Sequence, residues 1–363
     1  MKPSASRVVI MAGGTGGHIY PALAIARQMR EQGVTVTWLG TRRGMEARVV
    51  PEAGFPIRYV AVSGLRGKGM PGWLLAPFKL SFAVMQVLGI YLSLRPNVVV
   101  GFGGFVTGPG GFAAWLLRKP LVIHEQNAIP GFTNRILSHM AKTVLEAFKG
   151  SFPLTTRAIY TGNPVRSDIA ALIDPTTRIN QHQGPLRILL IGGSLGAQAL
   201  NEFLPKALAT LSAEVRPVIW HQAGANKFEE TRALYKSLHV EAKLAPFIDN
   251  MAEAYDWADM VICRAGALTL AELCAAGLGS VLVPFPYAVD DHQTHNAQHL
   301  VKAGAAILIP QTELSTEKLS MVLRDMITHG REHLIKMAQA ARSLSMPNAN
   351  KRVAEHCLEA AHG

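Results

Sequence analysis

Gly13-Gly14-Thr15-Gly16-Gly17-His18 follows directly after the apolar run Val8-Val9-Ile10-Met11, and a second apolar stretch, residues 22–26, comes after it. An apolar run that breaks into glycines and then resumes is typical of a strand, a tight loop and a helix. Such a loop directs backbone N–H groups at whatever lies above the helix N-terminus, where the helix dipole favours negative charge. We therefore predict a site for a phosphate or another negatively charged oxygen at this loop.

Two common nucleotide-binding fingerprints do not fit this loop. In the G-x-G-x-x-G frame that starts at Gly14, Ile19 stands where the third glycine belongs, and His18 replaces the lysine of a P-loop. A dinucleotide site also needs an acidic residue after the second strand, but the predicted strand 34–39 runs into Gly-Thr-Arg-Arg. NAD and FAD are therefore disfavoured, and a glycine-rich turn without a ligand is the alternative.

Length and repetition predict two domains. A chain of 363 residues exceeds most single cores, and a second strand, glycine loop and helix begin at residue 186. The polar, proline-containing stretch 165–185 is the best linker candidate, although residues 169–173 could form a short helix. A last helix at 350–361 is expected to return to the first domain. We expect an α/β fold of two doubly wound, Rossmann-like domains facing a cleft, built from residues 1–164 with 344–363 and from residues 165–343.

Charge is distributed unevenly along the chain. Residues 1–164 contain 18 Lys and Arg against 5 Glu and no Asp, a net charge of +13, whereas the remainder contains 18 basic against 20 acidic residues. Nucleic acid and an anionic membrane surface both fit such a basic half. Charged residues are only 17% of the chain, against about 25% in typical proteins, which favours the membrane surface. No nucleic-acid partner is therefore expected.

The run 73–94 contains a single charged residue, Lys79, and is long enough to span a bilayer. Pro77, Ser81 and Gln86 interrupt it, and an α/β domain needs a crossover helix here, so we predict a helix partly buried in the domain. Its exposed side chains would touch a membrane, and complete burial in the core is the alternative. The candidate patch consists of Leu74, Leu75, Phe78 and Phe82 beside Arg66, Lys68 and Lys79.

Cysteine usage and the N-terminus indicate a location inside the cell. Cys263, Cys274 and Cys357 give neither a disulfide framework nor a zinc ligand set. The apolar run near the N-terminus is shorter than a signal-peptide core and ends in glycine. We therefore expect a reducing, cytoplasmic environment.

Further loops follow predicted strands. The run Val98-Val99-Val100 leads into a glycine-rich loop at 101–109, and residues 120–123 lead into His124-Glu125-Gln126-Asn127. Ligands of open parallel sheets bind at the carboxyl ends of the strands, so these loops are candidate binding elements.

Four loops in order carry a resemblance to a known family. They are residues 13–18, 103–109, 192–197 and 266–272. The chain resembles the MurG family, bacterial undecaprenyldiphospho-muramoylpentapeptide β-N-acetylglucosaminyltransferases with the GT-B fold, over nearly its whole length. The resemblance implies an inverting transferase that moves GlcNAc from UDP-GlcNAc to the C4 hydroxyl of MurNAc in lipid I and gives lipid II for peptidoglycan synthesis. It also implies a peripheral location on anionic phospholipid at the cytoplasmic face of the inner membrane, and leaves open partners among cell-wall synthesis and division proteins.

The resemblance places most donor contacts in the second domain. Arg166 and Ser194 would meet the diphosphate, Ile248 the uracil, and Glu272 the ribose hydroxyls. Thr269 and Glu272 also have capping-box spacing, which the residues alone would favour. The expected UDP-GlcNAc set is Thr15, Gly16, Gly17, Asn127, Arg166, Ser194, Ile248, Ala267, Leu268, Thr269, Leu270, Ala271, Glu272 and Gln293.

Sugar recognition is less fully defined. Gln293 and Asn127 would bind the GlcNAc hydroxyls, but the enterobacterial pattern has two adjacent glutamines where this chain has His292-Gln293. Whether His292 or Gln293 reads the sugar therefore stays open. His292, His295 and His299 also share a helix face with spacing that could hold a metal, although solvated helix histidines are commoner.

The resemblance assigns the acceptor and the chemistry to the first domain. Gly13, Gly14, Gly103 and Gly104 would meet the acceptor diphosphate. Inversion implies one in-line displacement with a base for the acceptor hydroxyl, and no DxD motif offers a divalent-ion site, so neither metal nor cofactor is expected. His18 is the candidate base because histidine has an ordinary pKa of about 6.5. Glu125 is the rival base, and a role for His18 in orienting the loop or binding diphosphate is the alternative.

Two other classes of protein compete with this interpretation. A UDP-GlcNAc 2-epimerase would share the donor site without needing a lipid acceptor, but the basic, apolar first half argues against it. A non-catalytic nucleic-acid or membrane binder would leave the second glycine loop and Glu272 without a purpose.

Overall fold

The computed structural model describes residues 6–62, 75–193 and 196–362. Four residues with expected roles, Arg66, Lys68, Leu74 and Ser194, lie outside this part of the chain. The chain divides into a first unit, Met1–Val165 with Met346–Gly363, and a second unit, Arg166–Ser345. These boundaries differ by one and two residues from the expected division.

The first unit contains seven described strands and six described helices. The strands are β1 Arg7–Ala12, β2 Thr35–Gly40, β3 Ile57–Tyr59, β4 Val98–Gly103, β5 Leu121–Glu125, β6 Thr143–Glu146 and β7 Ile159–Tyr160. The helices are α1 Gly16–Glu31, α2 Glu46–Glu52, α3 Ala76–Leu94, α4 Thr107–Leu116, α5 Phe132–Leu137 and the C-terminal α14 Ala349–His362. The strands form a parallel sheet in the order β3-β2-β1-β4-β5-β6-β7.

The second unit repeats this plan with six described strands. The strands are β8 Arg187–Ile191, β9 Val218–Gln222, β10 Lys243–Ala245, β11 Met260–Cys263, β12 Gly279–Leu282 and β13 Ala306–Leu308. The helices are α6 Ser167–Ala170, α7 Pro175–Asn180, α8 Gln198–Ala209, α9 Phe228–Ser237, α10 Met251–Trp257, α11 Ala267–Ala276, α12 His292–Lys302 and α13 Thr316–Ser343. The sheet is parallel, in the order β10-β9-β8-β11-β12-β13.

Strand order reverses at one place in each sheet. In the first unit β1 lies beside β4, with Met11 opposite Gly101, and in the second unit β8 lies beside β11, with Ile191 opposite Cys263. Loops that leave neighbouring strands in opposite lateral directions open a crevice at their carboxyl ends, which is where doubly wound sheets bind ligands. The glycine loops that follow β1, β4, β8 and β11 begin at these two switch points.

The first sheet is covered on both faces. Side chains of β1 and β4 that alternate along each strand pack on one side with α1 and α14, through residues such as Ile25 and Val353. On the other side they pack with α3 and α4, through Val87 and Ala113. The expected return of the last helix to the first domain is confirmed, because α14 contacts α1 and β4.

The expected linker at 165–185 is a folded part of the second unit. Asp174 caps α7 by accepting the N–H groups of Thr176 and Thr177, and Pro175 occupies the first turn, where its missing N–H costs nothing. Arg178 is buried and donates to the carbonyls of Ala276 and Gly277, both at 2.7 Å. The linker interpretation is therefore wrong for these residues. Their polar side chains cap a helix and make buried hydrogen bonds, and they do not belong to an extended linker.

The apolar run near residue 80 forms α3, a helix partly buried in the first unit, as predicted. Ala83, Val84, Val87 and Tyr91 pack into the core, and the Tyr91 hydroxyl lies 3.3 Å from the Gly110 carbonyl oxygen. By length and composition α3 is the one described helix that could cross a membrane, and 22% of its apolar 18-residue stretch is buried. Because one side of α3 packs into the core, α3 is part of the α/β fold of the first unit.

Candidate functional site

The two glycine loops of the first unit form one continuous structure. The Gly13 N–H donates to the Gly103 carbonyl oxygen at 3.3 Å, and the His18 Nδ1 lies 3.3 Å from the Gly13 carbonyl oxygen. Gly104 has a φ of +89°, and a Cβ there would collide with the Gly13 carbonyl. The loop after β1 therefore contacts the loop after β4 so closely that side chains are excluded.

The N-terminus of α1 faces away from the core. Gly14, Thr15 and Gly17 are exposed, and His18 is partly exposed. Within the described chain, no side chain caps α1 at Thr15, and its first turn holds no acidic residue. Helix N-termini of this kind bind anions, so the predicted phosphate or diphosphate site stays a prediction that this geometry supports.

Sequence reasoning missed Glu46, a fully buried carboxylate beneath the first glycine loop. One oxygen accepts the Gly14 N–H at 3.1 Å, and the other accepts the Thr41 N–H at 2.9 Å and the Thr41 hydroxyl at 2.7 Å. Glu46 thereby ties the loop after β1 to the end of β2. A lone acidic residue among Arg42, Arg43 and Arg48 was the available signal.

The polar residues at the carboxyl end of β5 hold one another in a buried network. His124 Nε2 lies 3.0 Å from the Gly162 carbonyl oxygen, and Nδ1 lies 3.0 Å from the Gln126 amide nitrogen. Burial lowers the pKa of His124 to about 4. The imidazole is therefore neutral, with Nε2 donating to Gly162 and Nδ1 accepting from Gln126.

Glu125, the last residue of β5, holds the segment that follows the strand. Its first carboxylate oxygen accepts the Asn127 N–H at 2.9 Å and the Asn127 side-chain amide at 3.1 Å. Its second oxygen accepts the Gly131 N–H at 3.1 Å and the Asn134 amide at 2.9 Å. With only 2% of its surface exposed, Glu125 holds residues 125–134 in place.

The glycine loop of the second unit is tied to β9. The Gly192 N–H donates to the Gln222 carbonyl oxygen at 3.3 Å, and the Gln222 amide donates to the Gly193 carbonyl oxygen at 3.0 Å. Gly196 lies so close to the Ala223 carbonyl that a Cβ would collide with it. Described residues on both sides therefore fix the ends of the segment that contains Ser194.

The helix α11 begins at Ala267 with Gly266 as its N-cap, so Thr269 is its third residue. Because Thr269 lies inside the helix and not at its cap, the capping-box interpretation of Thr269 and Glu272 is wrong. The first-turn residues Ala267, Leu268 and Thr269 contain no acid, and no side chain caps this described helix. Their N–H groups lie at the carboxyl end of β11, at the switch point.

Glu272 is joined to two partners that reach it from different elements. One oxygen accepts from Arg166, with Nε at 3.3 Å and a terminal nitrogen at 3.2 Å. The other oxygen accepts the Tyr255 hydroxyl at 3.0 Å. Burial raises the pKa of the Glu272 carboxyl, and Arg166 and Tyr255 oppose that rise. Tyr255 was missed because nothing in its local pattern distinguishes it from a core aromatic residue.

Two other expected donor residues, Ile248 and Gln293, follow β10 and β12. Ile248 is buried in the segment between β10 and α10. The Gln293 side-chain oxygen accepts the Phe285 N–H at 2.9 Å, which holds the loop after β12. Arg264 supports the same loop by donating to the carbonyls of Val283 and Pro284 at 3.0 and 3.1 Å.

The histidines of α12 do not gather around a metal position. His295 Nδ1 lies 3.1 Å from the Asp291 carbonyl oxygen, and burial beside Lys302 lowers the pKa of His299. Within residues 6–62, 75–193 and 196–362, no group of three or more His, Cys, Asp or Glu side chains is arranged to hold a metal ion.

Comparison with known proteins supplies the family. The chain is 55% identical over 361 residues to the UDP-N-acetylglucosamine–N-acetylmuramyl-(pentapeptide) pyrophosphoryl-undecaprenol N-acetylglucosamine transferase of Nitrosococcus oceani, covering 99% of this chain and 100% of that one. Its sequence is 43% identical to that of Acinetobacter baumannii MurG, and the crystal structure of that protein matches this one with a TM-score of 0.84, covering 98% of this chain and 99% of that one. The chain belongs to the MurG family.

Both units of this MurG family chain match glycosyltransferase models. The N-terminal domain model of glycosyltransferase family 28 matches residues 8–146, and the C-terminal domain model of that family matches residues 187–353. The expected fold, two doubly wound α/β domains, is confirmed.

A more distant neighbour shares the fold alone. The UDP-GlcNAc 2-epimerase from Neisseria meningitidis, solved bound to UDP-GlcNAc, has a TM-score of 0.66 over 97% of this chain and 100% of that one. Its sequence identity is 14%.

Proposed function

We propose that this chain transfers GlcNAc from UDP-GlcNAc to the C4 hydroxyl of MurNAc in lipid I and releases UDP and lipid II. The observation that carries this is the 55% identity to the Nitrosococcus oceani transferase over both full lengths. Such a match places every glycine loop of both switch points within the aligned region. The enzyme is a hexosyltransferase of peptidoglycan synthesis.

The second unit is proposed to bind the UDP moiety. Three kinds of group suit it: the first-turn N–H groups of α11 for phosphate, Arg166 for its charge, and Glu272 for ribose hydroxyls. Arg166 is paired with Glu272, so the two groups lie within hydrogen-bond distance of each other. Ile248 and the segment containing Ser194 complete the proposed nucleotide contacts.

His18 is proposed as the base that takes the proton from the acceptor hydroxyl. It is partly exposed at the first switch point, and its ring lies close to Gly103. Glu125 is buried and accepts four hydrogen bonds from residues 127–134, which suits a structural role better than proton transfer. This contrast favours His18 over Glu125.

The reaction is proposed to occur in one displacement. The acceptor C4 oxygen attacks the anomeric carbon as the bond to the UDP oxygen breaks, so the α-linked donor gives a β-linked product. The proton of the hydroxyl passes to His18, and the charge on the departing UDP is met by Arg166 and the α11 amides. No step requires a metal ion.

The first unit is proposed to rest on the anionic membrane surface through an apolar helix face. This face is defined by the exposed side chains of α3, α4 and α5: Phe78, Phe82, Met85, Phe112, Trp115 and Phe132. The three helices contact one another in sequence, α3 with α4 and α4 with α5. The only acidic residue between 75 and 145 is the buried Glu125, so nothing there repels anionic lipid. This position would bring the acceptor loops to a lipid-borne substrate.

The direct test uses purified protein, labelled UDP-GlcNAc and a lipid I analogue, with EDTA present. Label in the lipid fraction is the expected result, and it also establishes that no divalent ion is needed. Release of UDP without label in lipid, or formation of UDP-ManNAc, would contradict the proposal and indicate hydrolase or epimerase chemistry.

A further inference from the structure

Tyr255 is a buried side chain for which the proposed reaction has no role. Its hydroxyl donates to a Glu272 carboxylate oxygen at 3.0 Å, and 1% of its surface is exposed. A hydroxyl that donates to a carboxylate makes one of the stronger hydrogen bonds of a protein interior. Such a bond gives the buried hydroxyl a partner and also holds the carboxylate in one orientation.

The position of Tyr255 joins two parts of the proposed nucleotide site. Tyr255 lies on α10, which starts at Met251, directly after the segment that contains Ile248. Asn250 caps this helix by accepting the Glu253 N–H at 3.2 Å, so the segment and the helix form one piece. Glu272 lies on α11. The bond from Tyr255 to Glu272 therefore connects the proposed uracil segment to the proposed ribose carboxylate.

The hydrogen bonds that Glu272 already accepts determine the direction of its remaining lone pairs. A carboxylate has about four lone-pair positions. Arg166 contacts one oxygen and Tyr255 contacts the other, so each oxygen is held from one side. Without the Tyr255 hydroxyl, only Arg166 would hold the carboxylate, which could then turn toward the guanidinium.

We infer that Tyr255 is a positioning residue that orients Glu272 toward the ribose hydroxyls and makes the enzyme selective for ribonucleotides. This inference rests on the proposed UDP site, since it assigns to Tyr255 the orientation of the ribose-binding group. Burial raises the pKa of Glu272 and the Tyr255 hydroxyl opposes that rise, so the same bond helps to keep the carboxylate charged.

The test compares the dissociation constants of UDP and 2′-deoxy-UDP by calorimetry. It uses the full chain, Y255F, and Y235F as a matched control. Tyr235 is also a buried tyrosine of the second unit, and its hydroxyl lies 3.0 Å from His221 Nδ1, not at Glu272. We expect Y255F to weaken UDP binding at least about fivefold and 2′-deoxy-UDP binding by less than about twofold. Y235F should leave the ratio of the two constants unchanged.

Steady-state kinetics supply a second readout. In Y255F the KM for UDP-GlcNAc should rise, whereas kcat should change by less than about twofold, because the hydrogen bond acts on donor binding. In the E272Q background, adding Y255F should not alter the preference for UDP any further.

The outcomes separate the two claims. If the unmodified chain binds UDP and 2′-deoxy-UDP equally, Glu272 does not read the ribose, and the proposed site fails together with the inference. If the unmodified chain prefers UDP and Y255F retains that preference, only the inference is overturned. Equal losses in Y255F and Y235F, or an additive effect of Y255F on E272Q, would likewise overturn it.

Discussion

At the scale of single residues, the titratable side chains near the first switch point differ in exposure and in hydrogen bonding. In the first unit His18 is partly exposed beside Gly103, whereas His124, Glu125 and Glu46 are buried and hydrogen-bonded to backbone groups. These groups are therefore divided between a partly exposed histidine and a buried supporting network.

Replacement of His18 tests its assignment as the base. H18A should lower kcat at least about a hundredfold, the range expected when a general base is lost. The measurement is steady-state transfer to the lipid I analogue, with H139A, which removes an exposed histidine of the same unit, as the control. An unchanged kcat with a raised KM for the acceptor would contradict the assignment and place His18 in acceptor binding.

His124 makes the stability of the first unit depend on pH. Its pKa is about 4 in the folded chain, below the value of about 6.5 expected when unfolded, so the unfolded chain binds more protons and stability falls as the pH falls. Between pH 7 and pH 5 this loss is about 2 kcal/mol. Urea unfolding at the two pH values should show a smaller loss for H124Q than for the unmodified chain. The same pH dependence in both proteins would show that His124 is not the source.

At the scale of elements, the glycine loops are positioned by their contacts with each other. G104A should lower the free energy of unfolding by at least about 2 kcal/mol more than G33A. Both glycines have positive φ, +89° and +78°, but only a Cβ at Gly104 meets backbone, whereas Gly33 has open space. Urea titration measures the free energy of unfolding of both variants. Because both share the strain of a positive φ, their difference reports the collision of the Gly104 Cβ with the Gly13 backbone. Equal losses would show that the two loops do not need their close contact.

The apolar helix face should govern attachment to membranes. The double variant F78S/F82S should weaken binding to vesicles of anionic phospholipid at least about tenfold, because each inserted aromatic side chain contributes roughly 1.5–3 kcal/mol. Vesicle sedimentation measures the effect, and M321S, at an exposed methionine of the second unit, is the control. Undiminished binding of the double variant would move the membrane contact elsewhere.

The sequence predicted the elements whose signal is local. Strands such as β1 and β8 were recognisable because apolar runs ended in glycines, and α3 because a long apolar run lay between two strands. The short edge strands β3 and β10 were missed, since three residues of pairing leave little pattern. Arg178 and Glu46 were missed for another reason. The Ala276 carbonyl that Arg178 contacts lies 98 residues away in the chain, and the Gly14 N–H that Glu46 accepts lies 32 residues away, so only the fold brings these partners together.

At the scale of the whole molecule, the basic and apolar surface belongs to one unit and the proposed nucleotide site to the other. The first unit holds the net charge of +13 found in residues 1–164 and the apolar helix face. The second unit holds Arg166, Glu272 and the start of α11. Membrane attachment and donor binding are therefore expected to respond to different substitutions.

This division is tested most directly by hydrogen–deuterium exchange of the full chain with and without UDP. UDP is expected to slow exchange in the second unit, at residues 248–255 and 267–272, and to leave the glycine loops at 13–18 and 101–104 unchanged. Protection of the first-unit loops without protection of α11 would contradict this assignment, because it would place the nucleotide at the other switch point.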